Sequence, residues 1–282
     1  MIKFTIISRH KPDGTRAKFF YEWAFIHVAL MMVTPCVTRD FKRYVQHYGN
    51  PDIPDEYRVL PKPTMNWESF ADHWLDSFEV LARNLVSADY REYMQPHSFG
   101  DSAMEVALSQ GEVAYEREGF RSGGVKLIHR LQNKPGQPMD EFGKRWRDEH
   151  APMVIETLKD RGLRKYVLNF PLKLEPSVFK GTLFESGGID MEQGIEELWF
   201  DSLEDATRVG SDSDVGNVIR ASFAKFADIE TSYSMFVHER VVFDFCTPGE
   251  MTPLPAVANP NSLEASLFNR FRPFHEPRPE SK

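Results

Sequence analysis

The 282-residue sequence holds only two cysteines, Cys36 and Cys246, too few for a disulfide framework or a thiolate metal cluster. It also lacks a long apolar run. The richest stretch, residues 24–33, is interrupted by His27 and falls short of the ~20 residues that cross a bilayer. The N-terminal apolar patch in MIKFTIISRHKPDG is too short for a signal h-region and has no small-residue cleavage site. The expected setting is therefore the cytoplasm, with no membrane partner. Positive charge is in deficit: 34 Lys+Arg face 42 Asp+Glu, a formal net charge of −8, which argues against a nucleic-acid partner. No G-x-S-x-G, Walker loop, G-x-G-x-x-G or H-E-x-x-H occurs, which removes serine hydrolases, P-loop NTPases, nicotinamide-fold enzymes and zincins. Glu149-His150 is a lone dipeptide, and the scattered histidines have no zinc spacing. Nothing here calls for a metal or a cofactor.

What is present is an average globular composition, 41% hydrophobic and 27% charged, with 13% aromatic residues that hint at a ring-lined interior. The sequence also repeats itself. At a spacing of 123 residues, Lys11-Pro12 falls on Lys134-Pro135, Phe19 on Phe142, Trp23 on Trp146 and His27 on His150. Trp and His are rare, so a shared F-x3-W-x3-H spacing is a strong signal. Slightly different spacings bring Lys42-Arg43-Tyr44-Val45 onto Arg164-Lys165-Tyr166-Val167, and Trp74 to Glu79 onto Trp199 to Glu204. Loop insertions and deletions produce such drifts. The chain reads as a tandem duplication.

Each copy predicts the same order of elements. Residues 2–8 and 125–131 are short β-rich runs that end at a K-P turn, hence strands. Residues 16–32 and 139–158 carry aromatic and apolar side chains at helical spacing. A strand around Tyr44 or Tyr166 follows, then one ending at Trp74-Leu75 or Trp199-Phe200. The next D-S pair supplies an N-cap for a second helix. Final strands lie near 104–115 and 231–243. The order β-α-β-β-α-β is the ferredoxin-like unit. Its bare sheet face must be buried, and two copies can do so sheet-to-sheet. The expected fold class is α+β: two ferredoxin-like repeats, 1–118 and 124–245, packed as an intrachain barrel, with a proline-rich tail over 246–282. A homodimer of this pseudo-dimer is left open.

With nucleophile and phosphate motifs absent, histidine carries the chemistry, as the natural acid or base near pH 7. His27 and His150 recur on the first helices, although a Phe-Trp-His stripe also fits an ordinary buried face. His73 is more suggestive, because copy 2 has Leu198 at that position. His47 (against Asn169) and His129 (against Ile6) are likewise polar in one copy only and could line a cavity. Tyr44 and Tyr166 could donate a hydrogen bond to a carbonyl or equally be packing; Trp23 and Trp74 complete the candidate binding set. His10, His97, His238 and His275 read as solvated loop or strand-end residues.

The segment K-P-G-x-P-x-x-E-F-x-x-x-W-x-x-x-H-A-P, Lys134 to Pro152, resembles the opening motif of the EthD family. Copy 1 is a degraded version that keeps the Lys-Pro, Phe, Trp and His, but has Val28-Ala29 in place of Ala-Pro. The R-K-Y-V and E-L-W-F-D-S blocks are also similar to the family. The resemblance implies a dimeric α/β-barrel, a superfamily that includes fungal polyketide dehydratases and cyclases, muconolactone isomerases, and cofactor-free or haem-dependent oxidative enzymes. In the methylmuconolactone isomerases the helix-1 histidine, matched by His27 and His150, lies in the cavity. A strand-3 cysteine falls at His73 and Leu198, so the chemistry does not transfer intact. What the resemblance implies is a cavity between sheet and helices. His27, His73 and His150 are the expected acid/base residues, and the first copy is the expected active half. The expected reaction is a cofactor-independent elimination, cyclisation or isomerisation of an aromatic or polyketide-like small molecule. A haem-dependent oxidative enzyme and a non-catalytic ligand-binding protein are the alternatives.

Overall fold

The strands and helices form where turn chemistry and capping allow them. The computed structural model describes residues 1–246 apart from 98, 186–187 and 190–192; the tail expected over 246–282 lies outside these except for Cys246. Strand β1 (Ile2–Ser8) stops before Lys11-Pro12, and β5 (Gly124–Asn133) stops before Lys134-Pro135. The first helix begins behind Thr15, whose side chain accepts from the Lys18 N–H, and runs through Arg16–Tyr21, Glu22–His27 and Val28–Val33. Its counterpart runs through Met139–Arg145, Trp146–His150 and Ala151–Leu158. Both widen into a π-helical turn over the Trp-x3-His segment, a local irregularity often found at functional sites. Strand β2 (Arg43–Gly49) leads to β3 (Ser69–Leu75), and β6 (Leu163–Pro171) leads past the two-residue β7 (Gly188–Ile189) to β8 (Gln193–Phe200). Ser77 and Ser202 cap the next helices, Phe78–Val86 and Leu203–Ser211, by accepting the N–H of Val80 and of Asp205. A further helix, Ser213–Phe226, occurs in the second half. Strands β4 (Glu105–Glu116) and β9 (Ala227–Asp244) end the two halves.

The pairing gives the order β4-β1-β3-β2 in the first half and β9-β5-β8-β6 in the second. The edge strands then meet, β2 on β9 and β4 on β6, all antiparallel. The expected sheet-to-sheet packing thus takes the form of one closed eight-stranded barrel in an α+β fold. Closure has a physical cause: an unpaired edge would expose a row of N–H and C=O groups. Gly123 and Gly124, at φ 96° and 89°, make the turn into β5 that L side chains resist. Among the described residues, no helix is long and apolar enough to cross a membrane.

Strand alternation divides the side chains between lumen and helices. Phe4 joins the helix-facing core with Phe19, Trp23 and Leu81, whereas Ile7 meets Phe70, Ile128 and Ile195 in the lumen. The long loops cross over. Leu174, Phe179 and Phe184, from the segment after β6, pack into the first half's core; Val59 and Leu60, from the loop after β2, pack into the second's. Each half is capped by its neighbour.

Candidate active site

Between the first half's sheet and its helices lies a cavity of about 260 Å³, lined by Trp23, His27, Ala71, His73, Tyr90 and His97 among other, mainly apolar residues. Leu183 and Phe184 close it from the second half's crossing loop, with the Phe184 ring edge-on to Phe4 at 5.4 Å. His27 and His73, singled out from the sequence, therefore share one cavity with Trp23. His97 belongs there too. The sequence placed it in a solvated loop, and no repeat or spacing marks it.

His73, 4% exposed, lies parallel to the Tyr44 ring at 4.7 Å. Its Nδ1 is 3.2 Å from the Phe4 carbonyl oxygen. A carbonyl only accepts, so Nδ1 carries the proton and Nε2 keeps the lone pair. Burial lowers the His73 pKa to about 4, although the Phe4 carbonyl and Asp72 pull the other way. His27 is lowered to about 3, by burial first and then by the proximity of His73 and His97. Its Nδ1 is buried without a hydrogen-bond partner among the described residues. His97 stacks on His27 at 6.1 Å, and its Nε2 lies 3.8 Å from Glu22. Burial lowers its pKa as well, against the pull of Glu22. At neutral pH His27 and His73 are thus uncharged imidazoles in an apolar chamber. Tyr44 sits beneath them, its hydroxyl taken up by Gln46 Nε2 at 2.9 Å and its pKa raised by burial.

The second half fills the equivalent space. Where Phe4 faces His73 in the first half, Leu127 faces Leu198. Where Ile6 faces Ala71, His129 faces Glu196. The buried Glu196 carboxylate accepts from Trp146 Nε1 at 2.9 Å and Tyr166 OH at 2.6 Å, and it meets His129 Nδ1 at 2.7 Å. His150 lies 3.6 Å from it, with its other ring nitrogen 2.9 Å from Ser222 Oγ. Burial opposes the charge on Glu196, yet His150 and His129 outweigh it and hold the carboxyl well below its usual range. Phe223 covers His150 at 4.3 Å between ring centroids. His129, His150 and Tyr166 are therefore brought together, but around a carboxylate rather than around a chamber.

The lumen holds the remaining candidates. His47 lies there with Asp72 and Glu197, its ring 3.4 Å from Glu239. His47, Asp72 and Glu197 offer ligand atoms within 4.8 Å of one another. Two ammonium groups already occupy the cluster. Lys126 Nζ is 2.7 Å from His47 Nε2 and bonds Glu197, while Lys3 bonds Glu197 and lies 3.3 Å from Asp72. This positive charge takes the place that a metal ion would fill. Trp74 lies under Arg43 at 5.0 Å and Lys3 at 5.4 Å, apart from the histidine cavity.

The chain is similar to a suggested monooxygenase from Fusobacterium nucleatum subsp. nucleatum ATCC 25586, at 9% identity and a TM-score of 0.48, covering 86% of this chain and 92% of that one. It is similar to a dye-decolorizing peroxidase from Bacteroides thetaiotaomicron VPI-5482, at 9% identity and a TM-score of 0.45, covering 84% and 92%. No curated protein matches the sequence. The family model for the EthD domain matches residues 134–230, which span the motif from Lys134 to Pro152 and most of the second half. The similarity to the EthD domain thus lies in the second half of the barrel.

Proposed function

We propose that the first-half cavity is the active site of a cofactor-independent lyase, a dehydratase or cyclase, that works on an aromatic or polyketide-like small molecule. One observation carries this: His73 and His27 face an open apolar chamber, whereas their counterparts are a leucine and a histidine locked beside Glu196. In this reading, the chain is a duplicated unit, bounded at 1–118 and 124–245, in which one half kept its cavity and the other became scaffold. The shared sheet order supports that reading.

The chemistry follows from protonation state. His73 Nε2 takes a proton from the carbon next to a substrate carbonyl. The developing enolate oxygen accepts a hydrogen bond from His27 Nδ1–H. A buried imidazole with a pKa near 4 has a strongly acidic conjugate acid, so His73 hands the same proton to the departing hydroxyl. Water leaves, the double bond forms, and His73 returns to its starting state. His97, beside Glu22 at the cavity wall, exchanges protons with solvent if the relay is interrupted.

Mass spectrometry on β-hydroxycarbonyl aromatic and polyketide-like compounds tests this. Wild-type protein should release water from a substrate, and His73→Gln should slow it about 100-fold or more with binding retained. If wild type, His27→Ala and His73→Gln bind the compounds alike and turn none over, the chamber is a ligand-binding site only. A Soret band in the purified protein would replace this reading with a haem-dependent one.

A further inference from the structure

Over its last turns the first helix is apolar on both faces. Trp23, Ala24 and Met31 face the core. On the outer face Ile26, Met32 and Val33 are 38%, 44% and 63% exposed, with the exposed Ala29 between them. Their spacing within Glu22–His27 and Val28–Val33 makes them one stripe about two turns long. The matching helix of the second half shows what the fold alone asks for at this face. Glu149, Pro152 and Glu156, all exposed, stand there in place of Ile26, Ala29 and Val33. An outer apolar stripe that the barrel does not need calls for a cover.

The sequence of the tail supplies one. Asn261-Ser262-Leu263-Glu264 has the spacing of a capping box, Leu263, Leu267, Phe268 and Phe271 recur at helical spacing, and Pro273 ends the run. Arg270 and Arg272 fall where cations suit the last turn of a helix. The chain also leaves the barrel close by. Phe245 N–H donates to the Lys42 carbonyl oxygen at 2.8 Å, and between Val33 and Lys42 lies the helix Pro35–Asp40. The exit is therefore within about 20 Å of the stripe, and the chain from Cys246 to Ser262 reaches up to about 50 Å. We propose that residues 262–272 dock as an amphipathic helix on the outer face of the first helix, with Leu263, Leu267, Phe268 and Phe271 over Ile26, Met32 and Val33. Tethering favours this segment over a second copy of the chain. A short linker holds it at an effective concentration on the order of 1 mM, far above the micromolar range in which free copies meet. An intrinsic Kd of about 100 μM then suffices to keep it docked about nine-tenths of the time.

Hydrogen exchange of the full chain, read by mass spectrometry, tests the proposal. The amides of residues 263–271 should exchange about tenfold more slowly than in the isolated peptide, at a rate that does not depend on protein concentration. Val33→Lys, at the most exposed of the three positions, should weaken docking about threefold and leave about fourfold protection. Ile26→Lys combined with Val33→Lys should weaken docking tenfold or more and leave about twofold protection or less, with circular dichroism reporting the barrel. Unprotected amides over 263–271 in the wild type, or protection unchanged in the single and double variants, would overturn the proposal. So would protection that grows with protein concentration as a dimer elutes, which would make a second copy the occupant.

Discussion

At the scale of single residues, Ala71 is what keeps the first half open. Its register partner is Ile6, and at the matching pair in the second half stand Glu196 and His129. Replacing both residues, Ile6→His with Ala71→Glu, should rebuild the closed arrangement. The new carboxylate would meet Trp23, His27 and Tyr44, as Glu196 meets Trp146, His150 and Tyr166. Ligand binding in the cavity should fall more than tenfold while the barrel stays folded. Ala71→Glu alone should cost about 3–5 kcal/mol, because it lacks the imidazole that the double variant adds. A double variant that binds and turns over substrate normally would place the active site elsewhere.

Acid stability is set by the same residues. The unfolded chain protonates His73 near its ordinary value of 6.5, whereas the folded chain resists until about pH 4. The contribution is therefore fully present above pH 6.5 and drains away as pH falls toward 4, by roughly 1.4 kcal/mol per pH unit. Glu196 acts in the same direction at lower pH: its folded-state pKa is depressed, so its contribution holds above the usual carboxylate range and is lost as pH falls through it and below. His73→Leu copies the residue of the second half and removes its own share, leaving those of His27, which is lowered to about 3, and Glu196. Urea unfolding at stepped pH should show a shallower loss of stability between pH 6.5 and 4 in this variant. An identical slope would show that His73 titrates normally.

At the scale of elements, the strands, both first helices and the two serine caps were legible in the sequence, since each depends on local pattern and turn chemistry. The sequence singles out the first half for His27, His47 and His73, and of these His27 and His73 line one cavity. Strand parity accounts for much of what was misplaced. Tyr44 and His47 are three residues apart on one strand, so they face opposite sides, and His47 enters the lumen. The same rule separates His73 from Trp74. The charged lumen itself was hidden, because Lys3, Asp72, Lys126 and Glu197 read as solvent-facing positions until the barrel closes over them. His97 was out of reach for another reason: it reaches the cavity through tertiary packing of a loop, which no periodicity encodes.

At the scale of the molecule, the lumen charges decide how the halves assemble. The first half contributes Lys3, His47 and Asp72; the second contributes Lys126, Glu197 and Glu239. Lys3 pairs with Asp72 inside the first half, but Lys126 alone faces Glu197 and Glu239 inside the second. That excess of carboxylate is met across the seam, where Lys3 reaches Glu197 and His47 meets Glu239. Two copies of the second half would bury four of these carboxylates against two ammonium groups. Two copies of the first would bury both imidazoles without the Glu239 that His47 meets. Breaking a buried pair costs about 3–5 kcal/mol, and several would be broken at once. Each half alone also loses the loop that caps its core and exposes the edges that form the β2–β9 and β4–β6 seams. Fragments 1–118 and 124–245, produced separately, should therefore show no cooperative melting by circular dichroism, either alone or at concentrations that favour self-association. Mixed at equal concentration, they should pair one to one, recover a single cooperative transition and elute as one species near the size of the intact barrel. If the second fragment forms a stable homodimer instead, the lumen charges do not direct pairing, and closure rests on strand edges and apolar packing alone.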